Sequence, residues 1–222
     1  MQRQKCGPNG KEMEVVIFDD MSRCTAEEVA RMLPQVSAQR REQALRYKHV
    51  FGQFCCLKSW LMLKDLLNDD AAEPLNDAND KWVYNEHGKP FIKGEDERKK
   101  EEGPFFSISH CKEGIAVAVD DQPIGIDIES VRSADESLIE RTMCEEERRM
   151  IHDANDARDR MFIRLWTQKE AVVKAVGTGI ESFEQLQGIR YQGLGFTIET
   201  VEKEKYIYSI AYGELHCIGT QV

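Results

Sequence analysis

The chain has 222 residues, 41% of them hydrophobic and 32% charged, with a formal net charge of −10. That composition fits a soluble protein of one large or two small domains and excludes a disordered chain; the acidic balance argues against wholesale nucleic-acid binding, and the apolar runs are far too short to span a bilayer. The N-terminal MQRQKCGPNG has no signal-peptide core, and seven scattered cysteines with no CxxC pair fit reduced thiols in a cytosol rather than a disulfide scaffold or a zinc site.

Residues 14–19 (EVVIFD) read as a first strand. Thr25 and Glu28 form a capping box that opens a short helix ending near Pro34. Ser37 starts a second helical stretch carrying Arg40, Arg41, Arg46, Lys48 and His49. A basic helix of this kind is ordinarily a solvated face, with anion binding as the alternative. From Phe51 to Leu67 apolar residues run nearly all round (Phe51, Phe54, Leu57, Trp60, Leu61, Leu63, Leu66, Leu67), the pattern of a buried core helix. A polar loop over 68–80 precedes a short strand at 82–84. A turn at 85–88 then leads into Lys89-Pro90-Phe91-Ile92, and 94–103 is an exposed, charge-dense loop.

Residues 105–129, FFSISHCKEGIAVAVDDQPIGIDIE, predict three strands at 105–109, 115–119 and 124–128, separated by turns at Gly114 and Pro123. Side chains alternate along a strand, so Ile124, Ile126 and Ile128 share one face and Gly125, Asp127 and Glu129 the other. Two carboxylates on one face repel unless a cation lies between them; a solvated polar face is the competing reading. Helices rich in Glu, Asp and Arg follow over 133–159, one of them beginning around Cys144 to Glu147. Over 162–176, Phe162, Trp166, Val173 and Val176 form an apolar stripe at helical spacing, and Glu170 and Lys174 lie four apart beside it, the spacing of an ordinary surface ion pair. Gly177-Thr178-Gly179 ends this helix. Residues 195–201, 206–212 and 215–218 read as strands. Tyr208-Ser209-Ile210 echoes Phe106-Ser107-Ile108, and each half runs helix then strands, the outline of an internal duplication.

Three segments in register resemble the 4′-phosphopantetheinyl transferases, in particular the longer surfactin-type class, a pseudo-dimer within one chain. They are Gly88-Lys89-Pro90, then Phe106-Ser-Ile-Ser-His110 with Pro123-Ile-Gly-Ile-Asp127-Ile-Glu129, and then Phe162…Leu165-Trp166-Thr-Gln-Lys169-Glu170-Ala-Val-Val-Lys174 with the closing Gly177-Thr-Gly179. The resemblance implies an α+β fold of two similar α/β halves, 1–104 with the basic helix and 105–222 with the acidic strand, and an active site between them.

It also implies a reaction in which coenzyme A donates its phosphopantetheine arm to a serine of an acyl or peptidyl carrier protein and 3′,5′-ADP is released. Asp127, Glu129 and Glu170 would hold Mg2+, a hard ion that takes oxygen ligands; Glu170 is ligand, proton acceptor or both. Asp127, Glu170 and Lys174 would be the catalytic groups, Lys174 neutralising charge on the leaving phosphate. Arg40, Lys89, Ser109, His110 and Lys174 would hold coenzyme A. We expect a cytoplasmic monomer without a nucleic-acid or membrane partner. Three departures bear on the nucleotide contacts. Gln43 stands where the family has a basic residue, Cys55 where it has an arginine near the ligand, and Cys144 replaces a serine-like cap before Glu147. The rival readings are another metal-dependent phosphoryl or pyrophosphate-cleaving enzyme and a non-catalytic binder of coenzyme A or carrier protein.

Overall fold

The computed structural model describes residues 2–6, 13–68, 82–85, 89–92, 104–179, 182–189 and 195–213. The polar loop at 68–80 beyond Asn68, the loop at 94–103 and the strand expected at 215–218 lie outside them.

The first repeat begins with strand β2 (Met13–Phe18), to which β1 (Gln2–Cys6) adds an antiparallel edge. Helix α1 (Ala26–Met32) starts at Thr25, whose hydroxyl accepts the Glu28 N–H at 3.2 Å. Helix α2 (Ala38–Leu45) starts at Ser37, which accepts the Arg40 N–H at 3.1 Å. These side-chain oxygens satisfy backbone donors that the helices leave without partners. Helix α3 (Val50–Asn68) follows, then the separate pair β3 (Trp82–Tyr84) and β4 (Pro90–Ile92), then the hairpin β5 (Phe105–Cys111) and β6 (Gly114–Asp120). The sheet order is β1-β2-β6-β5. Sheet pairing therefore runs across residue 104, and the chain leaves this sheet only at the turn before Ile124.

The second repeat is β7 (Ile124–Ser130), α4 (Glu136–Thr142), α5 (Glu145–Asp153), α6 (Arg158–Val176), α7 (Gln185–Gly188), β8 (Thr197–Glu202) and β9 (Tyr206–Tyr212). Its sheet order is β7-β9-β8. Strand, long helix and hairpin thus recur in the same arrangement: β2 matches β7, α3 matches α6, β5 matches β8 and β6 matches β9. The two long helices have the same length, 19 residues each. The duplication is real in topology, but the echo of Ser107 in Ser209 is not part of it. Ser107 lies on β5 and Ser209 on β9, strands that do not correspond.

Apolar clusters hold the repeats, the three largest as follows. Val16, Phe18 and Phe106 pack with Phe54, Leu57, Trp60 and Leu63 of α3. Met13, Val15, Ile17, Ala116 and Ala118 pack with Ile124, Ile126, Ile128 and Tyr208 between the sheets. Phe162, Ile163 and Leu165 of α6 pack with Ile139, Met143, Ile151 and Ile207. Phe51 departs from the expected buried stripe. It sits in the first turn of α3 and is 38% exposed, with its ring edge-on to His110 at 6.0 Å. No helix among the described residues is long and apolar enough to cross a membrane.

Candidate active site

The site forms where β5, an edge of the first sheet, meets β7, an edge of the second. Two edge strands present unpaired backbone groups, and here serine hydroxyls take their place in the ladder. Ser107 Oγ accepts the Ile126 N–H at 3.0 Å, and Ser109 Oγ accepts the Ile128 N–H at 3.3 Å. The alternation expected along β7 holds, with the three isoleucines entering the core between the sheets and Gly125, Asp127 and Glu129 facing α6. Gly125 explains how closely the helix lies. A Cβ there would meet the Ala171 carbonyl oxygen at 1.9 Å and the Ala175 nitrogen at 2.4 Å. The backbone of α6 thus rests on the strand, which brings Glu170 and Lys174 to the two acids. At the other end Gly177 closes the helix in the left-handed conformation, φ 81°.

Lys174 does not pair with Glu170 as its i, i+4 spacing allows. Its ammonium donates to Asp127 Oδ1 at 2.6 Å and to Ser109 Oγ at 3.0 Å, while the Ser109 hydroxyl also reaches Asp127 Oδ1 at 2.8 Å. Asp127 is 4% exposed, and its Oδ2 has no hydrogen-bond partner among the described residues. A buried carboxylate oxygen without a donor is costly unless something positive meets it. Glu129 and Glu170 are both pushed up to about 7, first by burial and next by the negative charge of Asp127. The three acids thus share one repulsive field, relieved in part by Lys174.

As a donor set these oxygens suit a hard divalent cation, and the unpartnered Oδ2 is the place where one would be most stabilising. As they stand, no three ligating side chains among the described residues are gathered closely enough to hold an ion. Glu129 and Glu170 are only partly buried, which leaves their side chains room to change rotamer.

The other expected residues fall in three places. His110, next to Ser109, is exposed and turned toward Phe51; loss of solvent on that side, followed by the Lys174 charge, holds its imidazole below the ordinary value. Arg40 lies 4.4 Å over the Trp60 ring. Lys89 donates to the carbonyls of Lys174 at 2.6 Å and Ala175 at 3.1 Å, capping the C-terminal end of α6, where a cation is favoured. Asn85 assists by donating to the Gly177 carbonyl at 2.8 Å. Cys55 lies away from the surface of the cleft. It is fully buried in the first core, which pushes its thiol up to about 12, and Arg40 instead adjoins its neighbour Cys56.

Glu147 is not part of the acid cluster. Its Oε2 accepts the Cys144 N–H at 2.8 Å and meets the ammonium of Lys169 at 2.7 Å. Lys169 and Ser107 lie inside the motifs, but no local pattern marks either as buried. A lysine in a helix and a serine in a strand read as solvated unless the topology that buries them is known.

Comparison with known proteins now bears on this geometry. The family model for the 4′-phosphopantetheinyl transferase superfamily matches residues 123–216, which contain all three acids and Lys174. The 4′-phosphopantetheinyl transferase gsp of Aneurinibacillus migulanus is 30% identical over 148 residues, covering 65% of this chain and 57% of that protein. A 4′-phosphopantetheinyl transferase of Bacillus subtilis is 31% identical over 160 residues, covering 70% of this chain and 66% of that protein. The 4′-phosphopantetheinyl transferase Sfp of Bacillus subtilis strain 168 is 26% identical over 155 residues, covering 69% of this chain and 66% of that protein. The match thus spans 57% to 66% of these relatives' own length. The chain belongs to the 4′-phosphopantetheinyl transferase superfamily, in its surfactin-type class.

Proposed function

We propose that this protein transfers the phosphopantetheine arm of coenzyme A to a serine hydroxyl of an acyl or peptidyl carrier protein. The observation that carries the reading is the buried Asp127, one oxygen shared by Lys174 and Ser109 and the other unpartnered, between two carboxyl groups held near neutrality. In the reaction the serine oxygen forms a bond to the pantetheine-side phosphorus of the pyrophosphate. The bond from that phosphorus to the bridging oxygen breaks, and 3′,5′-ADP leaves with the electron pair.

Asp127, Glu129 and Glu170 would hold Mg2+, which when bound supplies charge neutralisation and alignment of the pyrophosphate oxygens. Glu170, in the same cleft as Asp127, would serve as metal ligand, as acceptor of the serine proton, or as both. Lys174 stands beside Asp127 to neutralise negative charge on the leaving group. Ser109 fixes Asp127, and with His110, Arg40 and Lys89 it would bind the nucleotide end. For Lys89 that role asks its ammonium to turn from the carbonyls it now caps. The acceptor is a cytoplasmic carrier protein, and the enzyme acts as a monomer.

Mass spectrometry of an apo carrier protein incubated with coenzyme A, Mg2+ and this protein tests the reading. A mass increase equal to phosphopantetheine is expected, together with release of 3′,5′-ADP. Cleavage of coenzyme A without carrier modification, or neither event, would reject it.

A further inference from the structure

Lys169 adjoins Glu170 in sequence yet faces away from the acid cluster into the interior, with its side chain 0% exposed. Its ammonium has three acceptors: Glu147 Oε2 at 2.7 Å, the Leu186 carbonyl at 2.6 Å and the Thr142 carbonyl at 3.2 Å. Glu147, 11% exposed, also accepts the Cys144 N–H. One buried charge pair therefore ties α6 to the end of α4, the start of α5 and the short α7. A buried ion pair of this kind is weak evidence of stability, because desolvation offsets its Coulombic gain and apolar replacements are often neutral. Another physical reason for it is needed.

The contact between α6 and β7 supplies that reason. At Gly125 the two backbones touch directly, with no side chain between them. Such a contact fixes their separation; on the hairpin side Thr167 and Gln168 are held to Ser209 and Thr200 at 2.8 and 2.9 Å, and Lys169 supplies the anchor on the side of α4, α5 and α7. Successive helical residues are about 100° apart, so an anchor at Lys169 sets the direction of Glu170, and Lys174 follows on the same side. Carboxylate oxygens lie about 6 Å from the axis, so a roll of about 20° displaces them by roughly 2 Å. Misplacement by about 1 Å can cost on the order of 100-fold in rate.

We propose that Lys169 is a positioning residue: paired with Glu147 and holding the carbonyls of Thr142 and Leu186, it fixes the roll of α6 and so the placement of Glu170 and Lys174 opposite Asp127. The inference rests on the reading of those residues as the metal and phosphate site. It is tested with the full chain carrying Lys169→Met, and with Lys169→Met/Glu147→Gln, which removes both charges and keeps an acceptor for the Cys144 N–H. The double variant should melt within about 4 °C of the parent. Its affinity for Mn2+ alone, followed by electron paramagnetic resonance, should fall about tenfold or more. Transfer should lose about 100-fold in kcat with the KM for coenzyme A changed less than about twofold. Amide exchange should quicken at 142–147 and 185–188.

Parental Mn2+ affinity and kcat in the double variant would overturn the proposal, because a merely structural pair is repaired by removing both charges. If the single variant does not fold, the double variant decides. If the parent itself neither binds Mn2+ nor modifies a carrier, the proposed function fails; the clamp is then judged by exchange, and unchanged exchange in those two segments overturns it.

Discussion

Strands β2 and β7 hold the same place in the two repeats, each pairing with the last strand of its repeat and lying on the side of a 19-residue helix. On β2 the face on that side carries the buried Glu14 near its start and then Val16 and Phe18, which join the first core, so that helix stands off the sheet by a layer of side chains. On β7 the corresponding side carries Gly125, Asp127 and Glu129, and α6 comes down to the backbone. One topology thus yields an ordinary helix-on-sheet core in one copy and a charged cleft in the other. The difference depends on one residue without a side chain and two with carboxylates. Burying those carboxylates disfavours their charged forms, and the charged partners of α6 are what make the arrangement tolerable.

The largest effect should come from making β7 more like β2. Asp127→Asn keeps size and shape and removes the charge that Lys174 and a metal would share. We expect transfer to fall by about 100-fold or more while the melting temperature stays close to the parent's, because the substitution also removes repulsion with Glu129 and Glu170. Carrier modification followed by mass spectrometry checks the rate. Normal transfer by the variant at ordinary Mg2+ would take this strand out of the mechanism.

Gly125→Ala sharpens the contrast in packing. A methyl group cannot fit 1.9 Å from the Ala171 oxygen, and the obstacle is helix backbone rather than the far end of a flexible side chain. The helix must lift from the strand, which should cost about 1–3 kcal/mol or more by analogy with overpacked cores. Urea denaturation measures it, and a cost near zero would mean that α6 does not rest on β7 as described.

Much of this contrast was legible in the sequence. The alternation of 124–129, the buried character of α3, the caps at Thr25 and Ser37 and the stop at Gly177 all follow from local periodicity and turn chemistry, and the structure keeps them. The partners of the lysines were not legible. Lys174 has an acid at helical spacing, yet it goes to Asp127, because the contact at Gly125 brings the strand nearer than the next turn of its own helix. Lys89, expected at the nucleotide, caps α6, and Lys169 is buried in a junction of three further helices. Each of these outcomes depends on pairing between segments far apart in the chain, which no local pattern encodes.

A smaller effect, of opposite sign to most carboxylates, concerns pH. Glu129 and Glu170 have folded-state values of about 7, against about 4.3 in an unfolded chain. Between those values the folded protein keeps protons that the unfolded chain has lost, so stability falls as pH rises through this window and levels off above 7. In metal-free buffer the melting temperature should therefore decline from pH 5 to pH 7.5 by several degrees more than in a Glu129→Gln/Glu170→Gln variant. Equal slopes for the two proteins would show that the carboxyls are not held up by burial. Added Mg2+ should reduce the loss above pH 7 in the parent alone.

The smallest effect separates the two serines at the junction of the sheets. Ser107 and Ser109 do the same structural work, each accepting one β7 amide, at 3.0 Å and 3.3 Å. Only Ser109 also touches Asp127 and Lys174. Ser107→Ala leaves the Ile126 N–H buried without an acceptor, which should cost about 1–3 kcal/mol. It should leave transfer within about twofold of the parent, since no charged group of the cleft loses a partner. Ser109→Ala should cost a similar amount of stability and also lower transfer, because the hydroxyl that fixes Asp127 Oδ1 is gone. Denaturant melts and carrier-modification rates for both variants, measured side by side, give the comparison. A Ser107→Ala protein that loses transfer as steeply as Ser109→Ala would mean that the cleft is sensitive to any loosening between β5 and β7. The chemistry would then depend on the junction of the two repeats as a whole rather than on the second repeat's acidic strand face.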